Sequence, residues 1–420
     1  MRYSALKGVQ DILPPETSLW QSVESSAREV FRRYGFLEIR LPIIESTEIF
    51  TRSIGEATDI VEKEMYTFQD KGNRSVTLRP EGTAPAVRSY VENKLHLLPA
   101  PQKLFYAGPM FRYERPQKGR FRQFYQIGAE AFGVGHPSLD AEIIAMLTKI
   151  LEAIGLTGLN CEINSIGCEA CRPGYRTALL EFFRDRLADF CPDCQRRYDT
   201  NPLRILDCKV PRCIELRKGA PVVPDHLCPD CGSHFEEVLS RLRLLKVPFT
   251  LNPNLVRGLD YYTRTTFEVT SEHLGAQKAV AAGGRYDRLV EEFDGPATAA
   301  MGFALGMERI TTLLKERGET PVLAPDCFIA ALGPEAETEG ARLAESLRAE
   351  GLWVEPGYGG GSLKSQLRKA DRTGSRFALI LGEDELKTGR IIWKELGKGL
   401  QGEAALADIE GLTGIIRPKG

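Results

Sequence analysis

Charged, polar and aromatic side chains alternate between residues 110 and 130 in a pattern typical of an antiparallel hairpin with one functional face. Side chains in a strand point alternately to its two faces, so Arg112 and Glu114 share a face of the first strand. The same face of the returning strand carries Phe124, Gln126, Gly128 and Glu130. The opposite face carries the predicted core residues Phe111, Tyr113, Tyr125, Ile127 and Ala129. The polar face is either a binding surface or the solvated side of a half-exposed sheet, and spacing alone does not decide between them.

Eight cysteines lie between residues 168 and 231 in a pattern typical of metal binding. They are Cys168, Cys171, Cys191, Cys194, Cys208, Cys213, Cys228 and Cys231. The pairs at 168–171 and 191–194 are separated by 19 residues, inside the range expected of a tetrahedral zinc site. Four thiolates would complete a closed structural site with no open position for catalysis. The alternative is a set of reduced, partly buried thiols. His226 or His234 could replace a cysteine, so the ligand set stays open.

Two sets of cations indicate contact with phosphate groups. Residues 301–310 predict a strand passing into a helix, with Arg309 in the first turn, where backbone amides already favour anions. A cation there needs an anionic partner, which favours a phosphate contact. A second set, Lys364, Arg368 and Arg372, recurs every four residues along a predicted helix. This cationic stripe is either a solvated helix face or a contact with an RNA backbone.

A turn near residues 77–83 presents Glu81 and Thr83 just before a predicted helix over 84–90. Such residues commonly cap a helix start, and that interpretation stands beside a functional one. The glycine-rich segment 281–287 has the wrong spacing for a Walker or dinucleotide-binding loop. Its glycines let the backbone approach either a ligand or a neighbouring strand.

The elements that position these groups are predicted from hydrophobic spacing. Helices are expected over 16–34 and 139–154, and a short strand over 36–42 whose closing proline places it at an edge or an interface. Another strand is expected within 255–269. After a linker at 321–325, alternating strands and helices predict a small α/β domain. Its strands cover 327–332, 352–355 and 377–381, its helices cover 335–349 and 362–373, and a hairpin and a last helix follow.

Composition describes a globular protein of 420 residues, 42% hydrophobic and 27% charged, for which two or three domains are expected. The net charge of −2 excludes a general electrostatic attraction to nucleic acid, so any RNA partner must be held by placed residues. The first residues contain no apolar signal segment, and no run approaches the ~20 apolar residues of a membrane span. A cytoplasmic protein without a membrane partner is therefore expected.

Four segments together resemble the histidyl-tRNA synthetase family of class II aminoacyl-tRNA synthetases. They are FRYERPQKGR at 111–120, RGLDYY at 257–262, GGRYD at 283–287 and GMER at 306–309. The RGLDYY segment is specific to the histidine enzyme and its paralogue, whereas the hairpin arginines and Arg309 mark the whole class. The resemblance runs over nearly the whole chain. The eight cysteines depart from the best-known members and leave the fold of the insertion open.

The resemblance implies an α+β fold: an antiparallel class II catalytic sheet flanked by helices, a cysteine-rich insertion and a carboxy-terminal α/β anticodon-binding domain. The expected boundaries are 1–320 for the catalytic domain, interrupted by the insertion module at 165–245, and 325–420 for the anticodon-binding domain. The implied activity is ATP-dependent activation of L-histidine to histidyl-adenylate, followed by transfer of the histidyl group to the 3′ end of tRNA(His). Mg²⁺ with ATP, a homodimer built through the segment ending at Pro42, and a possible structural Zn²⁺ complete the expectation.

The family's functional residues transfer onto matching positions of this sequence. Arg112 and Arg257 are the expected catalytic groups beside the α-phosphate. The expected histidine site comprises Glu81, Gly82, Thr83, Arg112, Gln126, Glu130, Arg257, Tyr261 and Tyr262, with Glu130 accepting from the imidazole N–H. The expected ATP site comprises Arg112, Glu114, Arg120, Phe124 and Arg309, with Phe124 stacked on adenine. Arg115 and Gln117 correspond to residues that meet the acceptor end of tRNA, and the stripe of Lys364, Arg368 and Arg372 is the candidate anticodon-domain contact.

Two rival functions remain beside this one. The first is the non-catalytic paralogue, a regulatory subunit of the first enzyme of histidine biosynthesis, which characteristically lacks the carboxy-terminal domain. The predicted α/β domain and the full set of arginines disfavour it. The second is another class II synthetase, which the Tyr261–Tyr262 segment disfavours.

Overall fold

The computed structural model describes residues 3–55, 58, 60–117, 119–274, 278–318 and 323–417. The chain divides into two compact units, Met1–Thr320 and Pro321–Gly420. Within the described ranges, no helix is both long enough and apolar enough to cross a membrane. Lys118 of the hairpin loop and the first two residues of the predicted linker at 321–325 lie outside the described residues.

The described residues form strands and helices that are numbered here in chain order. The strands are β1 (Leu37–Glu38), β2 (Ile44–Ser46), β3 (Tyr66–Gln69), β4 (Ser75–Leu78), β5 (Gln102–Phe111), β6 (Gln123–Phe132), β7 (Asn160–Ser165), β8 (Thr250–Leu251), β9 (Thr263–Thr270), β10 (Ala279–Arg285), β11 (Ala300–Gly306), β12 (Cys327–Ala331), β13 (Val354–Pro356), β14 (Phe377–Leu381), β15 (Arg390–Glu395) and β16 (Leu400–Ala405). The helices are α1 (Glu16–Arg33), α2 (Thr47–Ile54), α3 (Thr83–Glu92), α4 (Pro137–Ala153), α5 (Arg172–Arg184), α6 (Pro192–Thr200), α7 (Pro211–Leu216), α8 (Pro229–Leu244), α9 (Leu289–Glu292), α10 (Met307–Glu316), α11 (Pro334–Ala349), α12 (Leu363–Arg372), α13 (Glu383–Thr388) and α14 (Ile409–Ile416).

The first unit is built on an eight-stranded sheet with the order β1-β5-β6-β11-β10-β9-β7-β8. All of its pairings are antiparallel except those at its two edges, β1 with β5 and β7 with β8. Helices α1 and α4 cover one face, because their apolar stripes complete a core with Phe105, Ile127 and Phe303 of the sheet. A separate three-stranded sheet has the order β2-β4-β3. This is the α+β architecture predicted from the sequence.

The hairpin forms as predicted, with β5 and β6 paired from Gln102–Phe132 to Phe111–Gln123. Ile127 and Ala129 lie in the core, as expected for the second face. Tyr113 does not: it lies beyond the end of β5, and its side chain is 53% exposed. Its ring packs against the guanidinium of Arg122, 3.8 Å from the ring centroid, in place of a core contact. The strand alternation therefore cannot be extended past Phe111, and the residues that follow form an irregular loop.

The predicted strand over 36–42 is shorter in the structure. Only Leu37–Glu38 pairs, at the edge of the large sheet, which is the position expected of a strand closed by proline. The carbonyls of Leu41 and Pro42 accept from the Arg79 guanidinium at 2.8 and 3.3 Å, so a side chain takes the place of a neighbouring strand.

A helical module separates β7 from β8. It consists of α5 to α8 and has its own apolar core around Tyr175, Leu179 and Phe183. The last of these helices, α8, lies against α4, where His234 Nε2 and Asp140 Oδ2 are 2.9 Å apart. His234 therefore pairs with a buried carboxylate.

The second unit is a five-stranded sheet with the order β13-β12-β14-β15-β16. Its first two pairings are parallel and the last two antiparallel. The strands, the two long helices α11 and α12, the hairpin and the final helix agree with the sequence prediction. Helix α13 was not predicted.

Candidate active site

A pocket of about 210 Å³ opens on the large sheet of the first unit. Strands β5, β6, β10 and β11 form its floor, and the starts of α3 and α10, the hairpin loop and the segment before β9 form its walls. The side chains that line it and carry polar groups are Glu81, Thr83, Tyr106, Arg112, Glu114, Arg120, Gln126, Arg257, Tyr261, Tyr262, Tyr286, Glu308 and Arg309. Residues from distant parts of the chain thus share one cavity, as is usual for ligand sites.

The structure brings most of the expected site residues into this pocket. The exceptions are Gly82, Glu130, Arg115 and Gln117, which do not line it. Gly82 packs on the ring of Tyr106, where a Cβ would lie 2.2 Å from Cε2. Arg115 and Gln117 are exposed in the hairpin loop, and Gln117 pairs with Arg120 in an isolated bridge.

Glu81 both caps a helix and lines the pocket, which are the two interpretations that the sequence left open. Its carboxylate accepts hydrogen bonds from the amides of Thr83 at 2.6 Å and Ala84 at 2.8 Å, so it caps α3. The same carboxylate lines the pocket, and burial raises its pKa. A cationic ligand group beside it would lower this pKa and favour the charged form.

Glu130 lies beneath the pocket surface with a side chain that is fully buried. One carboxylate oxygen accepts from the hydroxyls of Thr83 at 2.8 Å and Tyr106 at 3.1 Å, and the other accepts from the hydroxyl of Tyr286 at 2.5 Å. Burial raises its pKa to about 8, and the hydrogen bonds from the hydroxyls oppose this shift. A glycine is required at position 302 because any Cβ there would collide with this carboxylate.

Replacing Glu130 by glutamine is expected to remove a pH dependence of stability. The pKa of this carboxyl is 4.5 when exposed and about 8 in the folded protein, so the folded state binds more protons between these values. Wild-type stability should therefore fall as pH rises through this window, since the slope follows the excess of protons in the folded state. Urea unfolding at pH 5 to 9 measures it: the gap between wild type and the isosteric Glu130→Gln variant should change with pH. A constant gap would contradict the assignment.

Three arginines converge on one side of the pocket. Arg112 donates from Nε to the carbonyl of Pro80 at 2.9 Å and lies 5.3 Å from the ring centroid of Phe124. Arg120 contacts Glu114. Burial lowers the pKa of Arg309, and the positive charges of Arg120 and Arg112 lower it further. Cations that repel one another in a half-buried site would be stabilised by a polyanion, so the phosphate contact expected of Arg309 stays a prediction.

Arg257 and Gln126 also line the pocket. The guanidinium of Arg257 forms an ion pair with Glu268 through Nη1. Its Nε and the Oε1 atom of Gln126 are buried and have no hydrogen-bond partner among the described residues. Buried polar atoms without a partner are costly. Both atoms therefore mark positions at which a bound ligand would donate or accept.

Sequence inspection missed Tyr106, Tyr286 and Glu308 as site residues. Tyr106 carries no motif; its place in the site depends on Gly82 and Gly128, since a Cβ on either would collide with its ring. Glu308 directly precedes Arg309 and accepts from the amide of Tyr125 at 2.9 Å, and burial raises its pKa to about 7. Tyr286 lies in the GGRYD segment and Glu308 lies in the GMER segment, so both could have been identified from the sequence.

The glycines of 281–287 serve strand packing. A Cβ on Gly283 would lie 2.2 Å from the carbonyl oxygen of Gly302 on the neighbouring strand. Of the two explanations left open, close approach of a neighbouring strand is therefore the correct one at this position.

The eight cysteines of the insertion form two separate groups of four. Cluster A comprises Cys168, Cys171, Cys228 and Cys231, and cluster B comprises Cys191, Cys194, Cys208 and Cys213. Within each cluster all sulfurs lie within 4.8 Å of one another. The 19-residue spacing suggested a site joining the first two pairs, and that combination is wrong. Helix α5 carries the chain away after Cys171, and α8 brings Cys228 back to it.

The two histidines are not part of these groups in the described part of the chain. His234 is engaged with Asp140, and the ring of His226 lies 5.4 Å from that of Tyr175. Among the described residues, the groups that could hold a metal ion therefore consist of cysteines alone.

The cationic stripe lies on α12 in the second unit. Lys364, Arg368 and Arg372 are exposed, while Gln366 and Ala370 on the opposite side are buried. The three cations therefore form one face of the helix that is open to a partner.

Comparisons with known proteins are extensive. The family model described as "Histidyl-tRNA synthetase" matches residues 8–168 and 224–310, and the model described as "Anticodon binding domain" matches residues 326–412. The "Histidine--tRNA ligase" of Trichlorobacter lovleyi is 55% identical over 401 residues, which cover 96% of this chain and 95% of that protein. The protein of the same name from Syntrophotalea carbinolica is 52% identical and covers 98% of both chains.

A solved structure agrees with these matches. The crystal structure of apo histidyl-tRNA synthetase from S. aureus has a TM-score of 0.83 to this chain at 39% sequence identity. The similarity covers 98% of this chain and 100% of that one. Both compact units are therefore included in the similarity.

Proposed function

The chain belongs to the histidyl-tRNA synthetase family, and on that premise we propose how its pocket carries out the family's reaction. The protein is a histidine–tRNA ligase: it activates L-histidine with ATP and attaches the histidyl group to tRNA. In the first step the carboxylate of histidine attacks the α-phosphorus of ATP and displaces pyrophosphate. The histidyl group of the adenylate then passes to the 3′-terminal ribose of tRNA(His). Neither step needs a side-chain nucleophile, so catalysis rests on positioning and on charge stabilisation.

We assign histidine to the side of the pocket formed by α3, β6 and the segment before β9. Glu81, Thr83 and Gln126 hold the α-ammonium group, which would satisfy the unpartnered Gln126 Oε1. Tyr261 and Tyr262 line the imidazole site, and Gly82 keeps Tyr106 in place beside it. Hydrogen bonds are needed here, because size exclusion alone discriminates by only about 1 to 3 kcal/mol per methylene.

Glu130 is our candidate acceptor for the imidazole N–H. Three hydroxyls already donate to its oxygens in this structure. A carboxylate offers about four lone-pair positions, so the imidazole N–H can bind as a fourth donor or replace one of these hydroxyls. Exchanging one donor for another keeps the buried carboxylate satisfied throughout.

ATP is assigned to the arginine side of the pocket. Arg112 and Arg257 flank the α-phosphate and stabilise the charge that develops there, so they are the proposed catalytic groups. Arg120 and Arg309 bind the outer phosphates, Phe124 stacks on adenine and Glu114 contacts the nucleotide. The carboxylate oxygens of Glu114 and Glu308 line the pocket and would hold Mg²⁺, which would neutralise part of the phosphate charge.

The single observation that carries this assignment is the meeting of two unlike half-sites in one cavity. One half is acidic and hydroxyl-rich around Glu81, the other is a cluster of mutually repelling arginines, and Arg257 lines the same cavity. An amino acid and a polyphosphate fit these halves. The match of residues 326–412 to an anticodon-binding domain also disfavours the regulatory paralogue.

The function is tested by charging tRNA with labelled histidine. With ATP and Mg²⁺ the purified protein should form acid-precipitable histidyl-tRNA on tRNA(His), and no product on an unrelated tRNA. Charging with a different amino acid, or none with histidine, would contradict the proposal.

We also propose the contacts that complete the assembly. Arg115 and Gln117, exposed in the hairpin loop, meet the acceptor end of tRNA. A homodimer is supported by Leu37, Ile43 and Ile44, large apolar side chains that are 71%, 42% and 50% exposed on the segment around β1. The cytoplasm is the proposed compartment, since the substrate tRNA is used there. The proposed domains are the catalytic unit at 1–320 with its insertion at 165–245, and the anticodon-binding unit at 325–420.

Removing the cationic stripe is expected to separate the two steps of the reaction. Replacing Lys364, Arg368 and Arg372 together by alanine should lower kcat/KM for tRNA charging about tenfold or more, because phosphate contacts supply much of the affinity for RNA. Histidine-dependent pyrophosphate exchange, which needs no tRNA, should be unchanged.

The matched control for the stripe removes three exposed cations elsewhere in the same unit. These are Arg342, Lys387 and Arg390, each of which pairs with a glutamate. The control should charge tRNA normally. Equal losses in both triple variants, or loss of exchange in the stripe variant, would show that the stripe has no specific RNA contact.

Beyond Mg²⁺ with ATP, we propose structural Zn²⁺ held by the cysteines of the insertion. Each cluster supplies four sulfurs within 4.8 Å of one another, the soft donor set that zinc prefers. A closed set of four ligands leaves no position for substrate, so the metal is not assigned to the chemistry.

A further inference from the structure

We propose that clusters A and B each bind one Zn²⁺ and that the two ions position the loop 256–262, which carries Arg257, Tyr261 and Tyr262 into the pocket. This inference rests on the proposed histidine and ATP sites and adds a role for the insertion, which the reaction itself does not require.

The sulfur spacing fits single ions. Zn–S bonds of about 2.3 Å place the sulfurs of a tetrahedral site about 3.8 Å apart. Cys168 Sγ lies 3.7 Å from that of Cys171 and 3.9 Å from that of Cys228, and Cys191 Sγ lies 3.9 Å from that of Cys208. These separations are far longer than the bond of a disulfide, about 2.05 Å. They are also too short to enclose an iron–sulfur cluster.

Backbone donors support thiolates in both clusters. The amide of Cys228 donates to Cys171 Sγ at 3.2 Å, and the amide of Cys191 donates to Cys213 Sγ at 3.4 Å. Each bond links two cysteines of the same cluster that are distant in sequence. Such bonds to ligand sulfurs orient and stabilise the ligands of metal sites.

The two clusters occupy different places in the insertion. Cluster A joins the start of α5 to the start of α8, so it closes the module where the chain enters and leaves it. Cluster B lies inside, where it ties the start of α6 to the segment around Cys208 and Cys213. An ion in cluster A would therefore close the long loop between Cys171 and Cys228, and metal binding of this kind couples directly to folding.

Three side chains of the insertion module donate hydrogen bonds to the loop 256–262. Arg172, the residue after Cys171 of cluster A, donates to the carbonyl of Tyr262. Arg204, four residues before Cys208 of cluster B, donates from Nη1 to the carbonyl of Arg257 at 3.1 Å. Asn201 donates to Asp260 Oδ1 at 3.1 Å.

The loop depends on these contacts because it has no regular structure of its own. The described chain forms no helix or strand between β8 and β9. Both carbonyls that the arginines engage belong to residues that line the pocket. Displacement of this loop by even about 1 Å is enough to lower a rate strongly, since positioned groups act only within close geometric limits.

The metal content of the purified full chain is the first test. Two zinc ions per chain are expected, and Cys171→Ser and Cys194→Ser should each lose one. No zinc, or only one zinc ion per chain, would overturn the proposal.

The positioning role is tested with variants that keep all cysteines. Arg172→Ala combined with Arg204→Ala should retain two zinc ions, raise KM for histidine about tenfold, and increase amide exchange across residues 256–262. Arg172→Ala combined with Arg204→Lys, which restores a donor at position 204, should recover part of the loss in KM for histidine. Arg186→Ala is the matched control, since Arg186 donates to the carbonyl of Leu216 inside the module and should change neither quantity.

The outcomes separate this proposal from the proposed function. If the double variant keeps normal loop exchange and a normal KM for histidine while wild type activates histidine, the positioning role is wrong and the function stands. If wild type contains two zinc ions but does not activate histidine, the proposed function is wrong, and the loop-exchange measurement still decides the positioning role.

Discussion

Replacing Arg257 by alanine is expected to lower histidine-dependent pyrophosphate exchange about 100-fold or more while the fold survives. A donor aimed at charge that develops in the transition state contributes roughly 10²- to 10³-fold to a rate. Arg257 has a half-buried guanidinium anchored by Glu268, with an Nε atom that has no partner in the described residues. The anchoring places the guanidinium before substrate arrives, so no reorganisation is needed during the reaction.

Steady-state pyrophosphate exchange measures the loss of activity, and circular dichroism measures whether the fold survives. The matched control is Arg243→Ala, which removes an exposed arginine from α8, 5.6 Å from the ring of Phe249. The control should retain normal exchange. A wild-type rate in Arg257→Ala would remove Arg257 from its catalytic role, whereas an unfolded variant would show that the ion pair with Glu268 is structural.

Replacing Arg309 by alanine is expected to raise KM for ATP roughly 10- to 100-fold, because a hydrogen bond to a charged group contributes about 1.5 to 3 kcal/mol. Arg309 lies in the first turn of α10, where burial and then the other arginines lower its pKa, and phosphate would relieve the repulsion. KM for histidine should change little, since the histidine side of the pocket lies on other elements.

The control for Arg309 is Arg317→Ala at the end of the same helix. Arg317 donates to the backbone carbonyls of Gly155 and Thr157, and it is exposed and outside the pocket. Both variants are compared by exchange kinetics with ATP varied. An equal rise in KM for ATP in the two variants, or a rise in KM for histidine alone, would show that Arg309 does not bind phosphate.

Much of the fold follows from the sequence because its signals are local. Apolar spacing predicted α1 and α4, and proline at position 42 predicted the edge position of β1. The hairpin alternation predicted which face of β6 lines the pocket, the face that carries Phe124 and Gln126. The alternation wrongly placed Tyr113 in the core. The end of a strand is set by tertiary contacts, here the packing of Arg122 on the tyrosine ring.

The features that the sequence did not predict depend on contacts between residues far apart in the chain. Four cysteine pairs can combine in several ways, and spacing favoured neighbours in the chain, whereas α8 brings Cys228 back to Cys171. The burial of Glu130 depends on hydroxyls from three separate elements, and no motif announces Tyr106. The site residues on motifs were therefore predictable, while their supporting residues required the fold.

The central claim, that this pocket activates histidine, is tested most directly by histidine-dependent exchange of labelled pyrophosphate into ATP without tRNA. Exchange should require both histidine and Mg²⁺ and should be absent with other amino acids. Binding of histidine with no exchange in the presence of Mg²⁺ would contradict the claim.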